Sequence, residues 1–584
     1  MSFWTQLFLE NRLLSGSLII LIYLLIVSVS AYLFSGHIAK VYREERTVLH
    51  GYSSRAIALF ERMLGPVVRR EMRLREYLEA VLLVSAFAGT VCFLLLVFQR
   101  DLPFSYANNH MTVSLAFNTV TSFLTNTDLQ HYSNPFDLTY FSTTFVIIGL
   151  MFFSPTLGFA VSMAFIRGIL TDKGHLGNFY HDFLVAFFEV VLPATLVVTA
   201  LLIALGVPET VHTYLLVTPF FSKGAVKVPL GPVASLEAIK NIGTNGGGFY
   251  GANAGYPFED PDWATNIVEY VSFNLIPMAS ILSLGRVFES RKFGLILYSV
   301  IMAFYLFSAY LSFFGEYFGV PQITSLGTLF TGNMLGKETA IGLSQSTIFQ
   351  VGATMTSTGA ANGSIISYTP AGVLGILIPL LLNDPLGGVG TSVLNIFTYV
   401  IFTMFISSLM VGKLPELLTL KIGSKEIRYS TLSLVTHPLL VIVPFGITLM
   451  LPGVMSTFVN SRPDQITQLL YEFATSAANN GSEMGGFATN SPYFNYLDGV
   501  IMLLGRYLLI GFQLVIAYSF STQKAKVQGE RAIDPGTKLF GFLLFSVMLL
   551  IGLLSFFPML VLGPILSWAK LFNFEVLKWS LLRI

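Results

Sequence analysis

The sequence predicts an all-α polytopic membrane protein with about ten transmembrane helices, and three observations favour this class. Hydrophobic residues make up 54% of the 584-residue chain and charged residues only 11%, against roughly 25% charged in an average soluble domain. Ten apolar runs approach or exceed the roughly 20 residues that a helix needs to cross a bilayer. Four short polar stretches interrupt this pattern at nearly equal spacing. A soluble globule is excluded, and the net charge of +1 gives no indication of a nucleic-acid partner.

The predicted spans follow one another along the whole chain. They cover approximately 15–34, 81–98, 140–166, 182–205, 265–284, 293–314, 372–411, 431–451, 497–520 and 539–562. The first span is long enough to stay as an anchor, because the residues before it lack the basic region and short apolar core of a cleaved signal peptide. The chain therefore begins with one membrane helix and continues into a repeated pattern.

The polar stretches lie in four gaps between these spans. They are Thr125-Asn126-Thr127-Asp128, Thr244-Asn245-Gly246-Gly247-Gly248, Ser357-Thr358-Gly359-Ala360 and Ala478-Asn479-Asn480-Gly481, 113 to 121 residues apart. Each follows a short, partly apolar segment, which predicts a repeat of helix, pore helix, loop and helix. Any one such cluster is as often an exterior turn. Four at this spacing favour one shared pore, in which backbone carbonyls replace the water around a bare cation.

This pattern divides the chain into six segments. We expect a first helix with a basic cytoplasmic loop at 1–80, pore repeats at 81–166, 182–284, 293–411 and 431–520, and a closing helix and tail at 539–584. Segments 35–80, 167–181, 285–292, 413–428 and 521–538 carry 22 of the 33 Lys and Arg residues. The positive-inside rule places them in the cytoplasm, so both termini and all four polar loops are expected outside. The basic 35–80 segment could also contact anionic membrane lipids.

The stretch Gly231-Pro-Val-Ala-Ser-Leu-Glu-Ala-Ile-Lys-Asn-Ile-Gly-Thr-Asn-Gly-Gly-Gly-Phe249, with Asn253 and 257–261 after it, strongly resembles the KdpA family. These proteins are potassium-binding subunits of bacterial and archaeal Kdp pumps, related to potassium channels and Trk-like transporters. Further matches are Ala116-Phe117-Asn118-Thr119, Gly332-Asn333-Met334, Gly336-Lys337-Glu338, Gly387-Gly388-Val389-Gly390 and Leu504-Gly505-Arg506. The resemblance covers essentially the whole chain.

The resemblance implies a potassium-selective subunit in a bacterial or archaeal plasma (inner) membrane. Its filter residues would be Thr125, Asn126, Thr127, Asp128, Thr244, Asn245, Gly246, Gly247, Ser357, Thr358, Gly359, Ala478, Asn479, Asn480 and Gly481, with Gln130 at the outer mouth. The implied partners are a KdpB-like P-type ATPase catalytic subunit, a KdpC-like assembly subunit and a single-helix KdpF-like peptide. Potassium is the transported ion. No Asp-Lys-Thr-Gly or Walker motif occurs here, so ATP chemistry is expected on another chain, with no nucleotide on this one.

Some features depart from the family pattern. The family usually has Asn at Asp128, whose carboxylate is expected near the outer end of the first loop. The fourth loop is shorter by one residue than is usual in the family, so its register is uncertain by one position. Glu483 adds a charge beside this loop. A stand-alone Trk- or Ktr-like channel or symporter, which shares the four-repeat plan and needs no ATPase, is the alternative function.

Several further residues carry predictions. Arg506 lies within an apolar run, where either a structural salt bridge or a pore-facing role under the filter would offset its cost. Asp384, Gly387 and Gly388 lie in the proline- and glycine-rich stretch 383–390, which predicts a helix break at membrane depth and a gating constriction. Glu237 and Lys240, three apart, predict a local ion pair. The histidines show no metal-ligand spacing, and His131 is expected at the surface.

Overall fold

The computed structural model describes residues 12–103, 111–219, 224–319, 332–418, 420–460, 462–523 and 533–571. In chain order its main helices are α1 (Arg12–Tyr42), α2 (His50–Leu64), α3 (Leu74–Val97), α4 (Val113–Leu124), α5 (Ser142–Leu170), α6 (Phe179–Ala204), α7 (Val233–Ile242), α8 (Trp263–Val287), α9 (Arg291–Phe318), α10 (Leu343–Met355), α11 (Pro370–Leu381), α12 (Thr391–Val411), α13 (Ser424–Leu449), α14 (Arg462–Ala478), α15 (Pro492–Ser521) and α16 (Lys538–Leu571). Ten of them, within the described ranges, are long and apolar enough to cross a membrane, which confirms the predicted number.

The spanning helices differ in how much of their surface they bury. Large apolar side chains point outward from the peripheral helices, as Leu33 of α1 and Leu83 of α3 do at 74% and 68% exposure. By contrast α8 is mostly buried, and it packs along α1 and against α9. Apolar side chains exposed to this degree are stable in lipid rather than water. The exposed and buried faces therefore distinguish a lipid-facing shell from a packed centre.

Four short helices, α4, α7, α10 and α14, occupy that centre. Each begins after a membrane span and ends at or just before one of the four polar stretches. Their polar residues are buried, as Gln350 and Thr354 of α10 are. These are the predicted pore helices, and their ends bring the four loops toward one region of the molecule.

The seventh predicted span, 372–411, is two helices rather than one. Helix α11 ends at Leu381 and α12 begins at Thr391. Between them Asn383 and Asp384 have left-handed φ angles of 56° and 51°, and Gly387 and Gly390 have φ of 69° and 84°. The predicted helix break is confirmed, and its irregular backbone is covered by protein, which is the condition for such backbone at membrane depth.

Two antiparallel pairs of short strands complete the described fold. Strand β1 (Tyr214–Val217) pairs with β2 (Val226–Pro229) between α6 and α7, and β3 (Glu416–Leu417) pairs with β4 (Leu420–Lys421) between α12 and α13. Neither pair was predicted from the sequence. Both lie in connections between helices.

Candidate ion-binding site

The four loops share one backbone arrangement, which sets their register. In each loop one residue donates its N–H to the carbonyl five residues earlier on the preceding pore helix. These bonds join Thr127 to Ser122, Asn245 to Lys240, Thr358 to Ala353 and Asn480 to Thr475, at 2.8–2.9 Å. We call the four donors the middle position. The residues before them, Asn126, Thr244, Ser357 and Asn479, form the first position and all have φ between 49° and 63°.

This register settles the fourth loop. Asp128, Gly246, Gly359 and Gly481 follow the middle position and form the third position. Thr125 and Ala478 precede the first position by one residue, and the equivalent residues in loops 2 and 3 are Gly243 and Thr356. The hydroxyl pairs support this alignment, because Thr125 Oγ1 lies 2.8 Å from Thr127 Oγ1 and Thr356 Oγ1 lies 2.6 Å from Thr358 Oγ1. In loops 1 and 4 the first position is therefore the second residue of the polar stretch, whereas in loops 2 and 3 it is the first residue.

Side chains at the first position join neighbouring loops. Ser357 Oγ donates to the carbonyl of Asn479 at 2.9 Å, and Asn479 Nδ2 donates to Thr127 Oγ1 at 2.9 Å. Asn126 Nδ2 donates to the carbonyl of Thr244 at 2.7 Å. These bonds link loop 3 to loop 4, loop 4 to loop 1 and loop 1 to loop 2. Three sides of a four-loop ring are therefore fixed by direct hydrogen bonds.

The helix break at 383–390 lies against the fourth side of the ring. The Val389 N–H donates to Thr244 Oγ1 at 2.9 Å, and the Leu386 N–H donates to the carbonyl of Met355 at 3.1 Å. Thr244 belongs to loop 2, and Met355 ends the pore helix of loop 3. The broken segment thus bridges these two loops on the side where the pore helices end.

Backbone carbonyls converge inside the ring. A Cβ added to Gly246 would lie 2.9 Å from the carbonyl oxygen of Thr127 and 3.2 Å from that of Thr358, which belong to opposite loops. A Cβ on Gly481 would overlap the Thr127 carbonyl, and Gly481 has φ of 90°. Both the close approach and the backbone angle require glycine there. Carbonyl oxygens of loops 1 and 3 thus approach each other at Gly246, and such oxygens are the groups that can replace an ion's hydration shell.

Asp128 is the exception at the third position, where the other three loops have glycine. Its side chain is fully buried beside the backbone of Gly246, which approaches it as a hydrogen-bond donor but outside ordinary hydrogen-bond geometry. Its φ of 54° is one that Asp tolerates better than most residues. The carboxylate is thus enclosed by the ring rather than exposed at an outer turn.

Gln130 joins loops 1 and 2 beyond the third position. Its Oε1 accepts from the Gly248 N–H at 2.9 Å, and its Nε2 donates to the Gly248 carbonyl at 3.1 Å. Gly247, next to that contact, has φ of 75°. Glu259 accepts from the N–H groups of Phe249 and Tyr250 further along loop 2. These contacts stabilise the segments that follow the third position in loops 1 and 2.

Arg506 lies beside the helix break, on α15. A Cβ added to Gly158 would lie 2.6 Å from both Arg506 Nη2 and the Val389 carbonyl, so the guanidinium and the break are neighbours. Arg506 is buried and donates to the Ser154 carbonyl at 3.3 Å. No carboxylate of the described residues forms an ion pair with it. Asn480 Nδ2 and Asp384 Oδ2 meet nearby at 3.4 Å, and Gly388 packs against Thr244.

Buried charges surround the pore helices. The predicted Glu237–Lys240 ion pair is present and fully buried, and Lys337 pairs with Glu316 at 2.7 Å. His131, expected at the surface, is instead only 5% exposed. Sequence reasoning missed its neighbours Glu472 and Asp498, because nothing in their spacing relates residues so far apart in the chain. The only signal was the Asp498 carboxylate, which lies within the span predicted at 497–520.

Comparison with known proteins gives consistent results. The family model of KdpA, the potassium-transporting ATPase A subunit, matches residues 21–568. A potassium-transporting ATPase potassium-binding subunit from Thermoplasma volcanium is 63% identical over 574 residues, covering 98% of each chain. One from Staphylococcus aureus is 35% identical over 541 residues, covering 91% of this chain and 96% of that protein.

A solved structure, the potassium transporter TrkH from Vibrio parahaemolyticus, is 16% identical with a TM-score of 0.48, covering 76% of this chain and 86% of the other. At that similarity nothing about activity follows. The family match spans nearly all of the chain and both relatives are aligned over more than nine-tenths of it. This multi-pass membrane protein belongs to the KdpA family of potassium-transporting ATPase A subunits.

Proposed function

We propose that this chain binds extracellular K⁺ in the ring of four loops and delivers it to a P-type ATPase partner for ATP-driven import. The observation that carries the proposal is the convergence of the Thr127 and Thr358 carbonyls at Gly246, in loops that share one backbone register. Relatives described as potassium-binding subunits of potassium-transporting ATPases support the choice of ion. Carbonyl rings of this kind suit a dehydrated monovalent cation.

The proposed site uses the three positions of every loop. Their carbonyls bind the ion, the preceding residues Thr125 and Ala478 support the first and fourth loops, and Gln130 with Gly247 holds the outer mouth. Asp384, Gly387 and Gly388 belong to the constriction, and Arg506 beside it opposes the passage of a cation through its unpaired charge. Ions held above that barrier are available for lateral transfer to the partner.

The proposed assembly places this chain in a bacterial or archaeal plasma (inner) membrane, with the filter loops outside. Segments 81–166, 182–284, 293–411 and 431–520 act as the four pore repeats, between the first helix at 1–80 and the closing segment at 539–584. The partners are a KdpB-like P-type catalytic subunit, a KdpC-like assembly subunit and a KdpF-like single-helix peptide. The basic cytoplasmic segments, which carry most of the Lys and Arg residues, support this orientation and contact with anionic lipid.

The test compares the purified chain with the complex that contains the P-type subunit. We expect the isolated chain to bind K⁺ in preference to Na⁺ and to hydrolyse no ATP. Potassium-stimulated hydrolysis should need the partner. Rapid downhill ⁸⁶Rb⁺ flux through the isolated chain in proteoliposomes would instead identify a self-sufficient channel or symporter. Hydrolysis by the demonstrably pure chain would contradict the proposal.

A further inference from the structure

Three ionisable side chains meet in the interior beside loops 1 and 4. His131 follows loop 1, Glu472 lies on the pore helix α14, and Asp498 lies on α15. Each offers one ligand atom, and these atoms all lie within 4.8 Å of one another. All three side chains are buried, at 5%, 1% and 0% exposure. The cluster therefore joins two repeats that are adjacent around the ring but distant in the sequence.

No hydrogen bond of ordinary geometry reaches the carboxylate oxygens among the described residues, although the Ser476 hydroxyl lies beside Asp498. This holds for both oxygens of Glu472 and both of Asp498. His131 Nε2 lies 3.5 Å from Glu472 Oε1 and also makes no hydrogen bond there. Buried polar atoms are nearly always paired, so a group of unpaired atoms directed at one another needs an explanation. A ligand bound between them would supply it.

The other ring nitrogen of His131, Nδ1, has a partner that defines its protonation. His131 Nδ1 lies 2.8 Å from Asn495 Oδ1. The amide nitrogen of Asn495 is occupied elsewhere, since it donates to Ser114 Oγ and to Asn490 Oδ1. Asn495 therefore presents its oxygen, and Nδ1 of His131 carries the proton. Nε2 therefore faces the carboxylates while Nδ1 is held by an outer partner, the orientation that such a partner gives to a metal-binding histidine.

The charge of the cluster also favours a cation. Glu483 lies close enough to interact electrostatically with His131 and Glu472, which adds a third carboxylate. Within the described ranges, no Lys or Arg forms an ion pair with any of them. Burying carboxylates without a compensating charge is costly. A divalent ion offsets two of these three carboxylates when the imidazole is neutral.

We propose that His131, Glu472 and Asp498 bind one divalent transition-metal ion, of the Zn²⁺ or Mn²⁺ type, outside the potassium-binding ring. An imidazole with two carboxylates is a mixed nitrogen and oxygen set, whereas Mg²⁺ and Ca²⁺ favour oxygen ligands alone. The ion ties the segment after loop 1 to the pore helix of loop 4. It is a structural clip between repeats, independent of the transported K⁺.

The test uses the full chain purified in detergent at constant KCl, stripped with a chelator and then exposed to Zn²⁺ or Mn²⁺ at ~100 μM. Metal content after desalting should be about one ion per chain, and the metal should raise Tm. Mn²⁺ bound to the wild-type chain should show a nitrogen coupling in its electron paramagnetic resonance signal. If the folded wild-type chain retains neither metal and its Tm does not change, the proposal is wrong. This result needs no variant to fold.

Variants assign the ligands. Glu472→Gln and Asp498→Asn should each abolish retention of the metal, and His131→Gln should abolish the nitrogen coupling. Asn495→Leu, which removes the outer partner of His131 together with the hydrogen bonds from Asn495 to Ser114 and Asn490, should weaken metal affinity about 10- to 100-fold. The matched controls are Glu269→Gln, a buried unpaired carboxylate elsewhere, and His437→Gln, a buried histidine remote from any carboxylate partner in the described structure. Both should keep about one ion. Unchanged metal content in Glu472→Gln would overturn the assignment.

Discussion

The side-chain amide of Asn479 donates to the hydroxyl of Thr127 at 2.9 Å, which ties loop 4 to loop 1. The second hydrogen of that amide goes to the carbonyl of Met502 on α15 at 3.0 Å. Asn479 thus uses both of its donors, one on the neighbouring loop and one on the surrounding helix. Because Thr127 supplies a carbonyl to the ring, this contact couples the supporting helices to the geometry of the ion site.

Thr127→Val should weaken K⁺ binding, because valine keeps the shape of threonine but removes the hydroxyl that accepts from Asn479 and pairs with that of Thr125. A lost buried hydrogen bond costs on the order of 1 kcal/mol, which corresponds to about fivefold in Kd. The measurement is K⁺ titration calorimetry on the purified chain. Thr90→Val is the control, because Thr90 bonds only to Ala86 of its own exposed helix. Equal affinities for the two variants would show that the contact does not shape the site.

The fold could be predicted more completely than the site. Hydropathy predicts the ten spans and the break after Leu381, because transfer of apolar residues to lipid and the backbone properties of proline and glycine are local. The loop register could not be predicted, since it depends on hydrogen bonds from Asn480 to Thr475 and their equivalents rather than on residue identity. The convergence of His131 with Glu472 could not be predicted either, because it arises only when distant repeats pack together.

Gly246→Ala should lower K⁺ affinity and selectivity over Na⁺ by at least about tenfold, because the added methyl group would lie against the carbonyls of Thr127 and Thr358. Those carbonyls must move apart to admit it. Competition of Na⁺ against ⁸⁶Rb⁺ binding measures the effect. Gly511→Ala, in α15 with no atom within 4 Å of the added Cβ, is the matched control. Wild-type selectivity in Gly246→Ala would argue against a carbonyl filter at this position.

Asp128→Asn should raise the K⁺ dissociation constant while leaving discrimination against Na⁺ nearly unchanged. Asparagine tolerates the left-handed backbone angle and preserves the side-chain volume, so mainly the charge is lost. When the carboxylate is ionised, which burial opposes by raising the pKa of Asp128, its charge ~7 Å from a cation contributes roughly 0.6 kcal/mol in water and about 2.4 at an effective dielectric constant near 20. These limits correspond to about 3- to 60-fold in Kd.

The measurement for Asp128 is Kd for K⁺ and for Na⁺ at low ionic strength. Asp101→Asn, which removes an exposed charge elsewhere, is the control and should change neither constant. A shift of less than about twofold in the K⁺ constant of Asp128→Asn would show that the carboxylate does not act on the ion. A large loss of selectivity would show instead that it helps to shape the ring.

Asp260 should make stability depend on pH. Burial raises the pKa of Asp260 to about 8, although the Thr265 hydroxyl, which donates to it at 2.7 Å, lowers that value. The folded chain then holds a proton that the unfolded chain loses near pH 4, so this residue's contribution to stability falls as pH rises from about 4 to about 8. The Tm of Asp260→Asn should be higher than that of wild type at pH 8 but not at pH 4. A pH-independent Tm difference would contradict this.

Arg506→Gln should allow passive cation leak through the chain. The guanidinium lies beside the Val389 carbonyl at the helix break and pairs with no carboxylate of the described residues, so its charge acts on whatever passes there. At ~6 Å and an effective dielectric constant near 20, repulsion of a monovalent cation is roughly 2.8 kcal/mol, or about 100-fold in rate. We therefore expect ⁸⁶Rb⁺ flux in proteoliposomes of Arg506→Gln to exceed that of wild type by one to two orders of magnitude.

Arg506→Lys should keep most of the barrier, because a lysine at the same site still carries a positive charge. Arg291→Gln removes the same charge from an exposed position at the start of α9 and should leave flux at the wild-type level. K⁺ affinity at the ring should be similar in all three variants, since the hydrogen bond of Arg506 among the described residues goes to the Ser154 carbonyl and not to a loop. If the normally folded Arg506→Gln variant shows no more ⁸⁶Rb⁺ flux than wild type, the barrier lies in the narrow backbone of 383–390 and not in the arginine charge.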